Sequence, residues 1–325
     1  MMSCFSLEHR LPAGHFTEAL RADALKGLTD QPKTLPPKWF YDARGSELFE
    51  EITGLAEYYP TRAEHEILRD HAPAIAAALP AEVHTLIELG SGSSRKTRLL
   101  LDALTRHSGL ERYAPLDVSP DALRQAGEAL CRDYPGLRVT ATVTDYETDL
   151  TLPPEGPRLV AFLGGTLGNL DTAERRAFYA SLRRQFTGTD ALLLGVDLVK
   201  DPDTLVRAYD DAQGVTAEFN KNVLHVLNRE LSADFDPDTF DHRAVWNAPA
   251  SRIEMRLRSR LTQTVALPAL DLTVDFDRGE ELRTEISVKF HRAPLTTELA
   301  HAGFTVHHWW TDPTTRFALL LATPA

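Results

Sequence analysis

Cysteine is almost missing: Cys4 and Cys131 are the only two in 325 residues. One lies at the chain's start and the other on the apolar side of a helix-like segment. Neither a disulfide framework nor a zinc knuckle is expected from them. Long apolar runs are missing as well. No segment reaches the ~18 uninterrupted apolar residues of a membrane span. The start, MMSCFSLEHRL, has no basic flank followed by an apolar block, so no signal peptide is read there. Positive charge is the scarcer sign, with Lys+Arg 35 against Asp+Glu 47 and a formal net charge of −12. Sequence-independent binding to nucleic acid needs a basic surface, so that class is excluded. The balance fits a soluble cytoplasmic protein. Metal-ligand spacings also fail. Asp234, Asp236 and Asp238 open like a calcium loop, but Thr239 and Val245 stand where Gly and Glu are required. His307 and His308 are neighbours in a strand-like run and so face opposite ways. No metal site is expected.

What is present is chain enough for about two domains of roughly 150 residues each. Its middle alternates strand and helix. HTLIELG (84–90), RYAPLDVS (112–119), RVTATVTD (138–145), RLVAFLGG (158–165) and DALLLGVDL (190–198) are short and rich in Val and Leu. Strands covered on both faces read this way. Ser119-Pro120 opens one intervening helix, with Ser as N-cap and Pro at the first helical position. Asp171 and Glu174 start another with capping-box spacing. The alternation predicts a parallel, doubly wound α/β sheet. After Asp201 the pattern changes. Residues 203–231 read as two helices, and 255–267, 271–277 and 282–290 as antiparallel strands with a turn at Asp277-Arg278-Gly279. A helix at 295–302 and strands at 304–312 and 316–324 follow. The simplest architecture is an α/β domain carrying an insertion at about 201–288. The first 62 residues are mostly helical and fit neither block.

The segment Glu88-Leu89-Gly90-Ser91-Gly92-Ser93-Ser94-Arg95-Lys96-Thr97 follows the first strand of the α/β block and opens a helix. A dinucleotide fingerprint needs Gly where Arg95 stands, and a phosphate-binding P-loop needs Gly there too. The form E-x-G-x-G of an adenosylmethionine loop is satisfied. Asp117 ends the second strand and Asp145 the third. A carboxylate at the second strand end can accept both ribose hydroxyls. One at the third can accept an adenine amino group, with Tyr146 flanking the ring. Either Asp could merely terminate its element. Their order after consecutive strands favours S-adenosyl-L-methionine as the cofactor.

At these residues the chain resembles the L-histidine Nα-methyltransferases of the ergothioneine pathway, over roughly Phe16 to Ala322. The matching blocks are PPKWFYDARGSELFEEITGLAEYYPTRAE (36–64), ELGSGSSRKT (88–97), YAPLDVS (113–119), GGTLGNL (164–170), RAYDDAQGVTAEFNKNVLHVLNRELSADFD (207–236) and RTEISVKF (283–290). The resemblance implies a Rossmann-type methyltransferase sheet over 63–200 plus 289–325. It implies a second, α+β substrate-binding domain from 1–62 plus 201–288. It also implies the reaction, three methyl transfers from adenosylmethionine to the α-amine of L-histidine, giving hercynine. Gly90, Lys96, Asp117, Asp145, Tyr146 and Tyr41 match cofactor-contacting positions. Tyr58, Gly164, Asn169, Tyr209, Met255, Glu285 and Ser287 match positions lining the histidine pocket. One departure is visible: the family's G-S-T-I-G-N is Gly164-Gly165-Thr166-Leu167-Gly168-Asn169 here.

The resemblance also suggests roles. Tyr41 is the candidate catalytic residue, orienting the amine and relaying its proton through water; packing over the cofactor is the equal alternative. Asn169 and Tyr209 offer donors to the substrate carboxylate. Glu285 and Ser287 alternate on one strand, share a face, and can grip an imidazole. Met255 suits a pocket wall. A methyltransferase for another amino acid α-amine, such as tryptophan or tyrosine, and an idle adenosylmethionine-binding module are the rival readings. No metal, nucleic acid or membrane partner is expected, and the protein is read as a monomer.

Overall fold

The computed structural model of the chain describes residues 4–12, 14–80, 83–146, 150–153 and 156–325. Strand β1 (Phe5–His9) is followed by helices α1 (His15–Thr29), α2 (Ala43–Gly54) and α3 (Pro60–Ala77). Strands β2 (Thr85–Leu89), β3 (Arg112–Asp117), β4 (Arg138–Val143), β5 (Arg158–Phe162) and β6 (Ala191–Asp197) come next. Helices α4 (Arg98–Ser108), α5 (Pro120–Asp133) and α6 (Thr172–Gln185) lie among them. Helices α7 (Pro202–Tyr209) and α8 (Val215–Leu231) precede strands β7 (Phe240–Asn247), β8 (Arg252–Ser259), β9 (Gln263–Leu267), β10 (Leu272–Phe276) and β11 (Glu281–Val288). Helix α9 (Arg292–His301) and strands β12 (Phe304–Thr311) and β13 (Phe317–Pro324) complete the order.

These elements fall into two compact units. The first comprises Met1–Pro12, Arg62–Leu198 and Phe290–Ala325. Its eight-stranded sheet has the order β1-β4-β3-β2-β5-β6-β13-β12. From β1 to β6 every neighbouring pair is parallel, and β13 enters antiparallel. All residues of β2, β5 and β6 are buried, as strands with helices on both faces must be. The flanking helices start where their sequence says. The Ser119 hydroxyl accepts from the Ala122 N–H at the head of α5, and Asp171 and Glu174 complete a capping box on α6. Strand order steps one way from β2 through β3 to β4, and the other way from β2 to β5 and β6. It reverses between β2 and β5. Ligands of open α/β sheets sit outside the carboxyl ends of the strands at such a reversal.

Two expectations are corrected in this unit. The resemblance places residues 1–62 as a block in the second domain, but Met1–Pro12 belong to the first unit. The reason is that β1 pairs with β4 over its full length, Phe5 opposite Val139 through His9 opposite Val143. The cysteines, read as unpaired, are joined: Cys4 and Cys131 form a disulfide with Cα atoms 5.9 Å apart. Pairing of β1 with β4 carries Cys4 to the face of α5. There the Phe5 ring fills the space over Gly127, where an added Cβ would come within 2.3 Å of it.

The second unit comprises Ala13–Thr61 and Val199–Lys289. It holds a three-stranded antiparallel sheet, β11-β8-β7, and the hairpin β9–β10. The run 255–267, expected as one strand, is parts of two, and β7 lies outside the strands that the sequence pattern predicts. Helix α8 buries Phe219, Val223, Leu227 and Leu231, a stripe at helical spacing. Among the described residues no helix is long and apolar enough to cross a membrane.

Candidate active site

In the first unit, the loop after β2 turns on glycines at positive φ, +66° at Gly90 and +49° at Gly92. Side chains disfavour that backbone. A Cβ on Gly90 would lie 3.5 Å from the Tyr146 hydroxyl, so Tyr146 sits over the loop. A Cβ on Gly92 would meet nothing within 4 Å, which leaves its backbone open to a ligand. Asp117, at the end of β3, accepts from the Gly92 N–H at 2.9 Å and the Ser119 N–H at 3.0 Å. Burial pushes its carboxyl up, against the pull of those backbone donors. Asp145, just past β4, is buried. Glycine turn, ordered carboxylates and an aromatic cover fit adenosylmethionine, which brings ribose hydroxyls and an adenine ring but no phosphate. Glu88 has a different part. It is buried, accepts from the Thr97 hydroxyl at 2.7–2.8 Å and from the Tyr113 hydroxyl, and so fastens the loop to its own strands. Burial raises its carboxyl to about 7, against the Tyr113 bond, the Lys96 charge and the Thr97 bond.

A residue outside the predicted set organises this edge. Glu64 on α3 is fully buried. One carboxylate oxygen accepts from the Gly164 N–H at 2.7 Å, and the other from the Lys96 ammonium at 2.5 Å. It thus brings together the loops after β2 and β5. Gly164 and Gly165 both have positive φ, +80° and +73°. They lead into a single 3-10 turn, Thr166–Asn169, that carries Asn169. Glu64 was detectable in sequence, because it interrupts the apolar stripe Ala63, Ile67, Leu68, Ala72, Ile75 of its helix.

The second unit holds the other predicted residues. Tyr41 follows a 3-10 turn, Pro37–Phe40, and is 45% exposed. Tyr41, expected both as the catalytic residue and as a cofactor contact, belongs to this unit. Its ring meets the Phe49 ring edge-on at 5.5 Å; Phe49 meets Tyr58 at 6.1 Å, and Tyr58 meets Tyr209 at 6.2 Å. These rings form a continuous aromatic row. At its end the Tyr209 hydroxyl lies 2.9 Å from the Ser287 hydroxyl. Ser287 and Glu285 share a face of β11, and Met255 stands opposite Glu285 on β8. A bulge between Arg283 and Glu285 precedes them and leaves their alternation intact. Behind Tyr209, His242 is held in one tautomer. Its Nδ1 accepts from the Asn220 amide at 2.8 Å, so Nε2 carries the proton and donates to the Tyr209 carbonyl at 2.8 Å.

Comparison with known proteins decides what this pattern belongs to. A family described as histidine-specific, SAM-dependent methyltransferases matches residues 20–324. The chain belongs to this family. It is 55% identical to the histidine N-alpha-methyltransferase of Mycolicibacterium smegmatis over 318 residues, 98% of each chain. It is 53% identical to that of Mycobacterium tuberculosis over 311 residues, 95% of this chain and 96% of the other. Ergothioneine biosynthesis protein 1 of Neurospora crassa is 34% identical over 204 residues, 61% of this chain and 23% of that one. As a member of the family, the protein is a SAM-dependent methyltransferase.

Proposed function

We propose that this histidine-specific methyltransferase transfers three methyl groups in succession to the α-amine of L-histidine, giving hercynine for ergothioneine synthesis. The observation that carries the substrate reading is the aromatic row ending at the Ser287–Glu285–Met255 face. Gly90, Lys96, Asp117, Asp145, Tyr146 and Tyr41 would hold S-adenosyl-L-methionine, which when bound supplies an electrophilic methyl group on a sulfonium. The chain's task is to present the amine. Good positioning supplies ~7–11 kcal/mol, and each pKa unit lost in deprotonating the amine costs ~1.4 kcal/mol. Tyr41, half open to solvent, orients the amine and passes its proton to water. Asn169 and Tyr209 donate to the substrate carboxylate. Glu285 accepts from a ring N–H, Ser287 completes the same edge, and Met255 closes the wall. Tyrosine faces stabilise a cationic amine by ~0.5–2 kcal/mol each, without needing an N–H. Tyr41 and Tyr58 therefore keep their grip as methyls replace hydrogens.

The formal charge of −12 supports a protein without nucleic-acid partners. The monomeric state and cytoplasmic location are part of the same reading. The Cys4–Cys131 pair weighs against the location, since reducing compartments disfavour disulfides.

Incubation with labelled adenosylmethionine and a panel of amino acids tests the proposal. A gain of three methyl groups on histidine, seen by mass spectrometry, is expected. Methylation of tryptophan or tyrosine instead, or none with cofactor still bound, overturns it. Glu285→Ala is expected to abolish the preference for histidine over tryptophan and tyrosine. Unchanged selection among the three refutes the role given to Glu285.

A further inference from the structure

The mechanism leaves the buried cation of Lys289 unused. Lys289 follows β11 and continues its alternation, on the same face as Glu285 and Ser287. Its residue is only 2% exposed. Its backbone N–H is fixed on the Ser251 carbonyl at 2.7 Å. Its ammonium donates to the Tyr209 hydroxyl oxygen at 2.8 Å and to the Ser287 hydroxyl oxygen at 2.8 Å. Those two oxygens are themselves 2.9 Å apart, so the three groups close a triangle.

Proton counting leaves this triangle two arrangements, and an anion facing Tyr209 selects the one in which Tyr209 donates outward. An ammonium only donates, so both hydroxyl oxygens accept from it. The edge between the hydroxyls takes one of their two protons. The other must point out of the triangle. When Tyr209 turns its proton outward, Ser287 supplies the shared one. The Lys289 ammonium, donating to the Tyr209 oxygen, polarises the Tyr209 O–H, and a charge-assisted donor of that kind is matched to an anion.

We infer that Lys289 is a positioning residue that fixes Tyr209 as a donor and makes the pair specific for a carboxylate, so that the free α-carboxylate of an amino acid is a requirement of the site. The inference rests on the reading that Tyr209 faces the histidine carboxylate. It adds that Lys289 acts through Tyr209; because its ammonium also touches Ser287, the test must separate loss of carboxylate binding from loss of imidazole binding.

The test compares L-histidine with histamine, which has the same ring and amine but no carboxylate. Binding of each is measured by calorimetry to the full-length protein saturated with S-adenosylhomocysteine. The wild type is expected to prefer histidine. Lys289→Met should weaken histidine by about tenfold to a hundredfold and histamine by less than about threefold. Tyr209→Phe should show the same selective loss, and the double variant should lose little more than either single one. Lys289→Gln gives the same comparison if the Met variant is unstable, and thermal unfolding reports whether each is folded. Equal weakening of both ligands, or of neither, overturns the role. A wild-type protein that binds neither ligand overturns the substrate reading itself.

Discussion

Replacing Glu64 by Gln removes one charge and keeps the shape. The carboxylate it replaces is fully buried and holds the Gly164 N–H at 2.7 Å and the Lys96 ammonium at 2.5 Å. A glutamine has one acceptor oxygen and one amide nitrogen. Whichever way it turns, a donor faces a donor at one of the two contacts. Removing one partner of a buried pair costs about 3–5 kcal/mol. The Lys96 side chain is 26% exposed and can swing to water, which discounts the figure to about 2 kcal/mol. That corresponds to a fall in Tm of roughly 4–8 °C. The loops after β2 and β5 lose their common anchor, so affinity for S-adenosylhomocysteine should fall by about tenfold, measured by calorimetry. A cycle with Lys96→Met separates the pair from its surroundings. That single variant leaves Glu64 buried without its cation, and the double variant should recover about 1.5–3 kcal/mol relative to the sum. Additive effects within ~0.5 kcal/mol would refute the coupling. A lower Tm with cofactor affinity intact would refute the claim that Glu64 shapes the site.

Other outcomes follow from buried titrating groups and from the disulfide. Glu88 titrates at about 7 in the fold against 4.5 ordinarily, so the folded state binds its proton more tightly. Its contribution of about 3 kcal/mol is complete below pH ~4.5 and is lost as pH rises through ~7. Denaturant melts of Glu88→Gln should lack that loss, and identical pH profiles for the two proteins would contradict it. Burial holds His242 below the usual imidazole value of 6.5, while its bond to the Tyr209 carbonyl and the charges of Asp210 and Asp211 pull the other way. Its stabilising contribution is therefore present above 6.5 and fades as pH drops through the folded value; His242→Gln should flatten that limb of the melting profile. The Cys4–Cys131 link closes a separation of 127 residues. Chain entropy assigns such a loop up to about 5 kcal/mol, less to the extent that β1 frays alone. Cys4→Ser should lower Tm, and addition of a thiol reductant should lower wild type to the same value.

Much of the first unit was legible because its sequence is locally consistent. Val- and Leu-rich runs bounded by Ser119-Pro120 and Asp171-x-x-Glu174 specify strand and helix without outside information. The cofactor loop was readable because Gly90 and Gly92 occupy backbone that few other residues tolerate. Glu64 and Lys289 were harder. Glu64 is a charge on an apolar face and Lys289 a buried charge beside Ser287, and a sequence shows the charge without the partner that makes it tolerable there. Periodicity marks both positions: Glu64 on the stripe of α3, and Lys289 two residues beyond Ser287. Cys4 was unreadable for another reason. Its partner is 127 residues away, and only the pairing of β1 with β4 brings the two together. A five-residue strand at the start of a chain has too little pattern to announce that pairing.

Strand β1 also affects how this protein behaves in a crowd of its own copies. Without it, β4 would be the open margin of the sheet, and RVTATV is short, β-branched and nearly uncharged. Such a margin recruits strands from other molecules. Instead Phe5, Leu7 and Leu11 pack on the cluster of Leu123, Ala141 and Val143, and the new margin carries Glu8 and His9. Residues 4–12 thus serve as a hem, sewn down at Cys131. Trimming them would leave the catalytic edge untouched and expose the side of the sheet from which aggregation starts.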